Sequence, residues 1–143
     1  MGFTQYWECK RGLDTEKFKA YVKDVKKVLE GVDIICHEND MPETPPTIKD
    51  DLIRFNGKGE DGHETFMITP EPSDFEFCKT ARKPYDKYVV ACLILAKFHF
   101  GDAIEISSDG DLEDWEDGLC LAQDKTGIIL DISFDEEGNL KLV

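Results

Sequence analysis

Lys79, Arg82 and Lys83 stand in the segment FCKTARKPYD, immediately before the nearly all-apolar run KYVVACLILAKFHF that ends at Gly101. A helix N-terminus exposes unpaired N–H groups and carries roughly half a positive charge, so cations there raise a potential that is already positive. In a chain of formal net charge −14, that concentration reads as an anion site. Lys79, Thr80, Arg82, Lys83 and Tyr85 would form a strand-to-helix loop in which backbone N–H groups hold a phosphate or carboxylate and arginine adds a bidentate contact. The competing reading is that these cations pair with surface acids, which are plentiful.

Three further groups have residue types suited to chemistry. In SSDGDLEDW, Ser107 and Ser108 could hydrogen-bond a ligand while Trp115 stacks on it. Asp109 and Asp111 suggest a calcium loop, but counting from Asp109 the sixth position is Asp114 and the twelfth is Cys120, where an EF-hand needs Gly and Glu. An Asx-type turn leading into a solvated acidic helix, with LEDWED a short helical turn, is the competing reading. His63 lies in GEDGHETF beside Glu64, with Arg54 expected on the partner strand, a setting for a general base or a ligand-reading imidazole. Tyr6 and Trp7 open the first strand with large rings that suit either a core edge or a stacking pocket. No two His or Cys residues have a zinc-ligand spacing, so no metal or other cofactor is expected.

These residues need a scaffold, and the sequence outlines one. Phe3 to Lys10 reads as a strand. Asp14 or Thr15 then caps a helix to Glu30, with Phe18, Tyr21, Val22, Val25 and Leu29 on one stripe. Gly31 stops it, Val32 to Cys36 is a short strand, and MPETPPT from Met41 to Thr47 is an extended loop. Leu52 to Phe55 and His63 to Thr69 form a hairpin around NGKGEDG. Phe75 to Cys78 is a strand, and the apolar helix follows with Pro84 near its first turn and Gly101 at its end. Ala103 to Ile106 is a strand, and Gly127 to Phe134 with Asn139 to Val143 a last hairpin. The expectation is one α+β domain over residues 1–143, a mainly antiparallel sheet covered by two helices.

The 31 Asp and Glu against 17 Lys and Arg repel nucleic acid and anionic membranes. Thirteen of those acids lie between Asp102 and Glu137, opposed only by Lys125. Five scattered cysteines, odd in number and without a CxxC pair, fit free thiols in a reducing cytoplasm. No apolar run is long enough to span a membrane, and the first residues carry no signal-peptide pattern.

FTQYW from Phe3, FNGKGEDGHETF from Phe55, FCKTARKPYD from Phe77 and SSDGD from Ser107 together resemble a family of small proteins of uncharacterised function encoded by bacteria and bacteriophages. The resemblance covers most of the chain up to Trp115 and leaves the acidic remainder outside the pattern. It brings no catalytic residues. It implies a cytoplasmic protein of a bacterial or virus-infected cell, and a phage setting implies counter-defence.

Three functions compete at this level. The first is non-enzymatic binding of a small anionic molecule, a nucleotide or nucleotide-derived signal, at Lys79, Arg82 and Lys83, with a base stacked on Tyr6, Trp7 or Trp115. The second is an acidic interaction module that occupies the nucleic-acid groove of a host nuclease or polymerase. The third is a small hydrolase built on His63. A second copy of the chain is a further candidate partner.

Overall fold

The computed structural model describes residues 2–143. In chain order the elements are β1 (Thr4–Cys9), α1 (Thr15–Leu29), β2 (Ile35–Cys36), β3 (Thr47–Lys49), β4 (Leu52–Gly57), β5 (Phe66–Ile68), β6 (Ser73–Lys79), α2 (Asp86–Phe100), β7 (Glu105–Ser108), α3 (Leu112–Thr126), β8 (Ile132–Phe134) and β9 (Leu140–Leu142). Every strand pairing is antiparallel, and the fold is α+β as the sequence indicates.

Helix α2 organises the rest. Val89 to Lys97 are buried without a break, because a helix apolar on all sides must be covered on all sides. Helix α1 packs on it through Phe18, Tyr21, Val25 and Val28, and the Tyr21 hydroxyl donates to the Cys92 carbonyl at 2.9 Å. Asp14 caps α1, its carboxylate accepting from the Lys17 N–H at 2.9 Å. Lys97 is buried with the apolar residues, yet its Nζ donates to the Gly101 and Ile104 carbonyls at 3.0 and 2.8 Å. Burial lowers its pKa, while these bonds satisfy carbonyls at the helix end.

The strands form three sheets instead of one. β1 lies between β6 and β7, β4 pairs with β2, β3 and β5, and β8 pairs with β9. The expected strand from His63 to Thr69 is confined to Phe66–Ile68 because the Asn56 side chain takes over the neighbouring backbone. Its amide donates to the His63 carbonyl at 3.0 Å and to Thr65 Oγ1 at 3.1 Å, and its oxygen accepts from the His63 N–H at 3.1 Å. The strand expected at Ala103 starts at Glu105, since Gly101–Ala103 first makes a single tight helical turn.

The larger correction is a third helix among the described residues. The expected short turn at LEDWED is the start of the fifteen-residue α3. Asp111 and Asp114 form a reciprocal capping box, each carboxylate accepting the other's N–H. Gly118 lowers helix propensity but lets α3 close on α2: a Cβ there would lie 2.3 Å from Val90 Cγ1 and 3.1 Å from the Lys87 carbonyl oxygen. Trp115, fully buried, closes the contact against Phe134.

Two substitutions test this core. Leu93→Ala is expected to cost about 2–5 kcal/mol through the cavity it leaves, read by urea unfolding. Gly118→Ala is expected to lose about 1–3 kcal/mol by overpacking, although alanine would stabilise an isolated helix. An unchanged unfolding midpoint in the second variant would disprove the close α2–α3 contact.

Candidate functional site

The loop from β6 to α2 is built by buried bonds that use up several of its polar groups. The Thr80 and Ala81 N–H groups both donate to the Phe3 carbonyl, at 3.0 and 3.1 Å. Ala81 and Arg82 then adopt left-handed φ values of 53° and 59°, which cost side-chain-bearing residues conformational energy. Thr80 is fully buried, and its hydroxyl donates to Asp86 at 2.5 Å. Gln5 donates to the same carboxylate oxygen at 3.0 Å, while its own Oε1 is buried without a partner. Burial pushes the Asp86 carboxyl above the usual range, against the pull of the Thr80 and Gln5 bonds. The buried Tyr85 hydroxyl donates to the Glu64 carbonyl, and burial raises its pKa far above the ordinary tyrosine value. Burial also pushes the neighbouring Cys78 thiol up to about 12. Thr80 and Tyr85 therefore hold the loop and offer no free group to a ligand.

The cations divide into two kinds. Arg82 is 63% exposed, pairs with Asp114 at 2.6 Å and lies 4.0 Å above the Phe3 ring. That contact holds the Asp114 carboxyl below the usual range. Lys83 and Lys87 make no ion pair among the described residues. They line a groove of about 480 Å³ between the starts of α2 and α3, together with Asp86, Glu113, Asp114 and Asp117. Four carboxyls thus share that groove with three cations. The Lys79 main chain is engaged at both ends: its N–H donates to the Glu64 carboxylate at 2.6 Å and its carbonyl accepts the Glu64 N–H at 3.1 Å.

The remaining candidates do not converge. The Trp115 indole N–H donates to Ser108 Oγ at 3.1 Å, and that oxygen also accepts the Gly110 N–H, so both residues are committed to the turn. Asp109 latches the turn to β1, its carboxylate accepting the Thr4 N–H at 3.1 Å. Trp7 is buried against Phe66. Arg54 sits opposite Met67, not His63, and pairs with Glu38. The His63 side chain is exposed, and only its backbone is bonded, to Asn56, among the described residues. Tyr6 and Ser107 are the exceptions, both on the solvent face of the first sheet and half-buried.

A second groove, of about 420 Å³, lies where the start of α3 meets the β8–β9 turn. Leu112 and Phe134 form its apolar floor, and Asp111, Glu113 and Gly138 its rim. Leu112 is 48% exposed, and the turn that supplies Gly138 also carries the exposed Glu136 and Glu137. Sequence reading identified both acidic segments without their meeting point, because that depends on how α3 docks. Asp86, Gln5 and the exposed Phe75 and Phe77 were also missed as candidates. The alternation DFEF was the available signal for the last two.

Asp86 provides the test of the loop. Asp86→Ala is expected to cost about 2–4 kcal/mol, because two buried donors lose their acceptor at ~1–3 kcal/mol each, whereas Asp86→Asn should cost less than half as much. An acid whose folded pKa is raised stabilises the fold below its unfolded pKa and loses that contribution as pH rises through the folded value. Urea unfolding should therefore show the parent gaining on Asp86→Asn between pH 6 and pH 4, and the opposite trend would refute the assignment. No helix among the described residues is long and apolar enough to cross a membrane, and no group of three metal-ligating side chains occurs among them. No protein-family model, curated protein or solved structure matches the chain.

Proposed function

We propose that the chain is a non-catalytic interaction module that presents its acidic end to a basic partner protein. One observation carries this reading: two acidic segments far apart in sequence flank a single groove with an apolar floor of Leu112 and Phe134. Glu113 lines that groove, Glu116 and Asp117 are exposed further along α3, and Glu136 and Glu137 are exposed in the β8–β9 turn, while Glu113 and Asp117 also line the α2–α3 groove. None has an ion-pair partner among the described residues. An apolar centre surrounded by unpaired charge of one sign suits a partner surface of the opposite sign, such as the nucleic-acid groove of a nuclease or polymerase.

A small anionic ligand in the α2–α3 groove is the second reading, favoured by the unpaired Lys83 and Lys87. Nucleotide sequestration would belong here. A phage setting, one of the two that the sequence resemblance covers, would make either activity a form of counter-defence.

Changing Glu113, Glu116, Glu136 and Glu137 to Gln and Asp117 to Asn leaves the Asp111–Asp114 capping box and the Arg82 pair intact. Pull-downs from bacterial lysate at low and high salt should recover a partner with the parent at low salt, and lose it with this variant or at high salt. Electrostatic attraction at exposed sites is screened beyond roughly 8 Å in physiological salt. A partner that survives both changes would overturn the reading. Nucleotide released on denaturing the purified parent, and absent from a Lys83→Ala, Lys87→Ala variant, would establish the second reading in its place.

A further inference from the structure

The solvent face of the β6–β1–β7 sheet carries a row of aromatics that nothing in the fold covers. Phe75 is 61% exposed and Phe77 50%. Their ring centroids lie 5.6 Å apart, and the Tyr6 ring lies tilted against Phe75 at 5.8 Å. Adjacent exposed aromatics on a strand cost solubility and are a mark of an interaction surface.

The same strand is an open edge for most of its length. Among the described residues β6 pairs with β1 on one side and with no strand on the other. At Lys79 the N–H and carbonyl point away from β1, since both bond to Glu64. Residues two apart in a strand direct their backbone groups alike, so Phe77 also turns its N–H and carbonyl to the open side. Lysine, proline or a covering loop commonly blunts such an edge. Here Pro72 precedes the strand, Lys79 ends it and Glu64 covers that last residue, which leaves the Phe77 backbone open; the other charges along β6 are Asp74 and Glu76, both exposed.

The charge on the face is mainly acidic, with Lys10 paired to Glu8 at 3.8 Å as the counter-charge. Glu8 and Glu105 lie directly opposite one another across β1 and β7, a pairing of like charges that destabilises a sheet. With Tyr6, Phe75, Ser107 and Asn139 they line a recess of about 150 Å³. A lysine or arginine head placed there would meet two carboxylates and two ring faces, the arrangement that favours a cation.

We propose that β6 and this aromatic face bind an extended segment of a partner protein, one that carries lysine or arginine between apolar residues and adds to the open edge as a further strand. Main-chain bonds to the edge would supply affinity, and alternate side chains would meet Phe75, Phe77 and the Glu8–Glu105 recess. Charge complementarity selects this occupant. A second copy would bring Asp74 and Glu76 against their own counterparts, in a chain of net charge −14. Single-stranded RNA stacks on aromatic sheet faces, but its phosphates would run past Glu8 and Glu105. The surface shares no lining residue with the groove at the start of α3, although its Ser107 and Asn139 are chain neighbours of Ser108 and Gly138 there.

The test is an NMR titration of the full chain with a synthetic nine-residue peptide of alternating valine and lysine. Shifts should centre on β6 and on Tyr6, and exchange at the Phe77 amide should slow. Methylating alternate peptide nitrogens, which leaves the protein unchanged, should weaken binding about tenfold or more by removing edge bonds. Phe75→Ser with Phe77→Ser should do the same, and Glu8→Gln with Glu105→Gln should weaken binding and flatten its salt dependence. The variant neutralised at α3 and the β8–β9 turn should bind the peptide like the parent, so the two surfaces fail or stand separately. Equal binding of a valine–glutamate peptide, the same shifts with oligouridylate, shifts located away from β6, or a dimer in light scattering that Phe77→Ser dissolves would each overturn the proposal.

Discussion

A helix apolar around its whole circumference has no solvent-facing side, and the rest of this structure is arranged to cover one. Helix α2 is enclosed by α1, α3 and the strands that follow it, in one continuous core that runs from Trp7 to Leu140. Its ends then become difficult places, because backbone groups and charges must be satisfied within the protein. At the C-terminal end Lys97 bonds two carbonyls. At the N-terminal end the chain uses Thr80, Gln5, Tyr85 and two left-handed residues to bring Asp86 into position. What looks from the sequence like a binding loop is in large part the mounting of this helix.

The same constraint decides where the negative charge goes. Helix α3 approaches α2 closely on its Gly118 side, with Trp115 and Ala122 turned inward and Glu113, Glu116 and Asp117 left outside. Asp114 is the exception, held by the capping box and by Arg82. The pair ties the β6–α2 loop to the start of α3, but both partners are partly solvated, so its contribution to stability is small. Its larger effect is on potential. The loop's most versatile cation is directed at an internal acid, and the protein's outward field there becomes mixed instead of positive.

Two surfaces are left with more exposed apolar area than the fold requires: the Leu112–Phe134 groove, and the Tyr6–Phe75–Phe77 row on the first sheet. Each is bordered by carboxylates. Apolar contact supplies affinity in such places, while surrounding charge selects the sign of the partner and speeds encounter.

Local patterns determined much of this protein. The stripe Phe18, Tyr21, Val22, Val25 and Leu29 required an amphipathic helix, the run from Tyr88 to Phe100 required a buried one, and Gly31 and Gly101 placed the ends, because periodicity and φ preference act within a few residues. The α+β class followed from those elements. Helix α3 was harder to see: Gly118 and the acids lower its local propensity, and its stability comes from packing against Val90 and Phe134. Site residues divide the same way. Residue type marked Thr80, Tyr85, Trp115 and Ser108 as able to meet a ligand, and only the tertiary structure showed their polar groups bonded inside. It also paired Arg82 with Asp114 across 32 residues, set Arg54 opposite Met67 and brought Glu8 opposite Glu105. Contacts of that range depend on which faces the core consumes, and no short stretch of sequence carries that information.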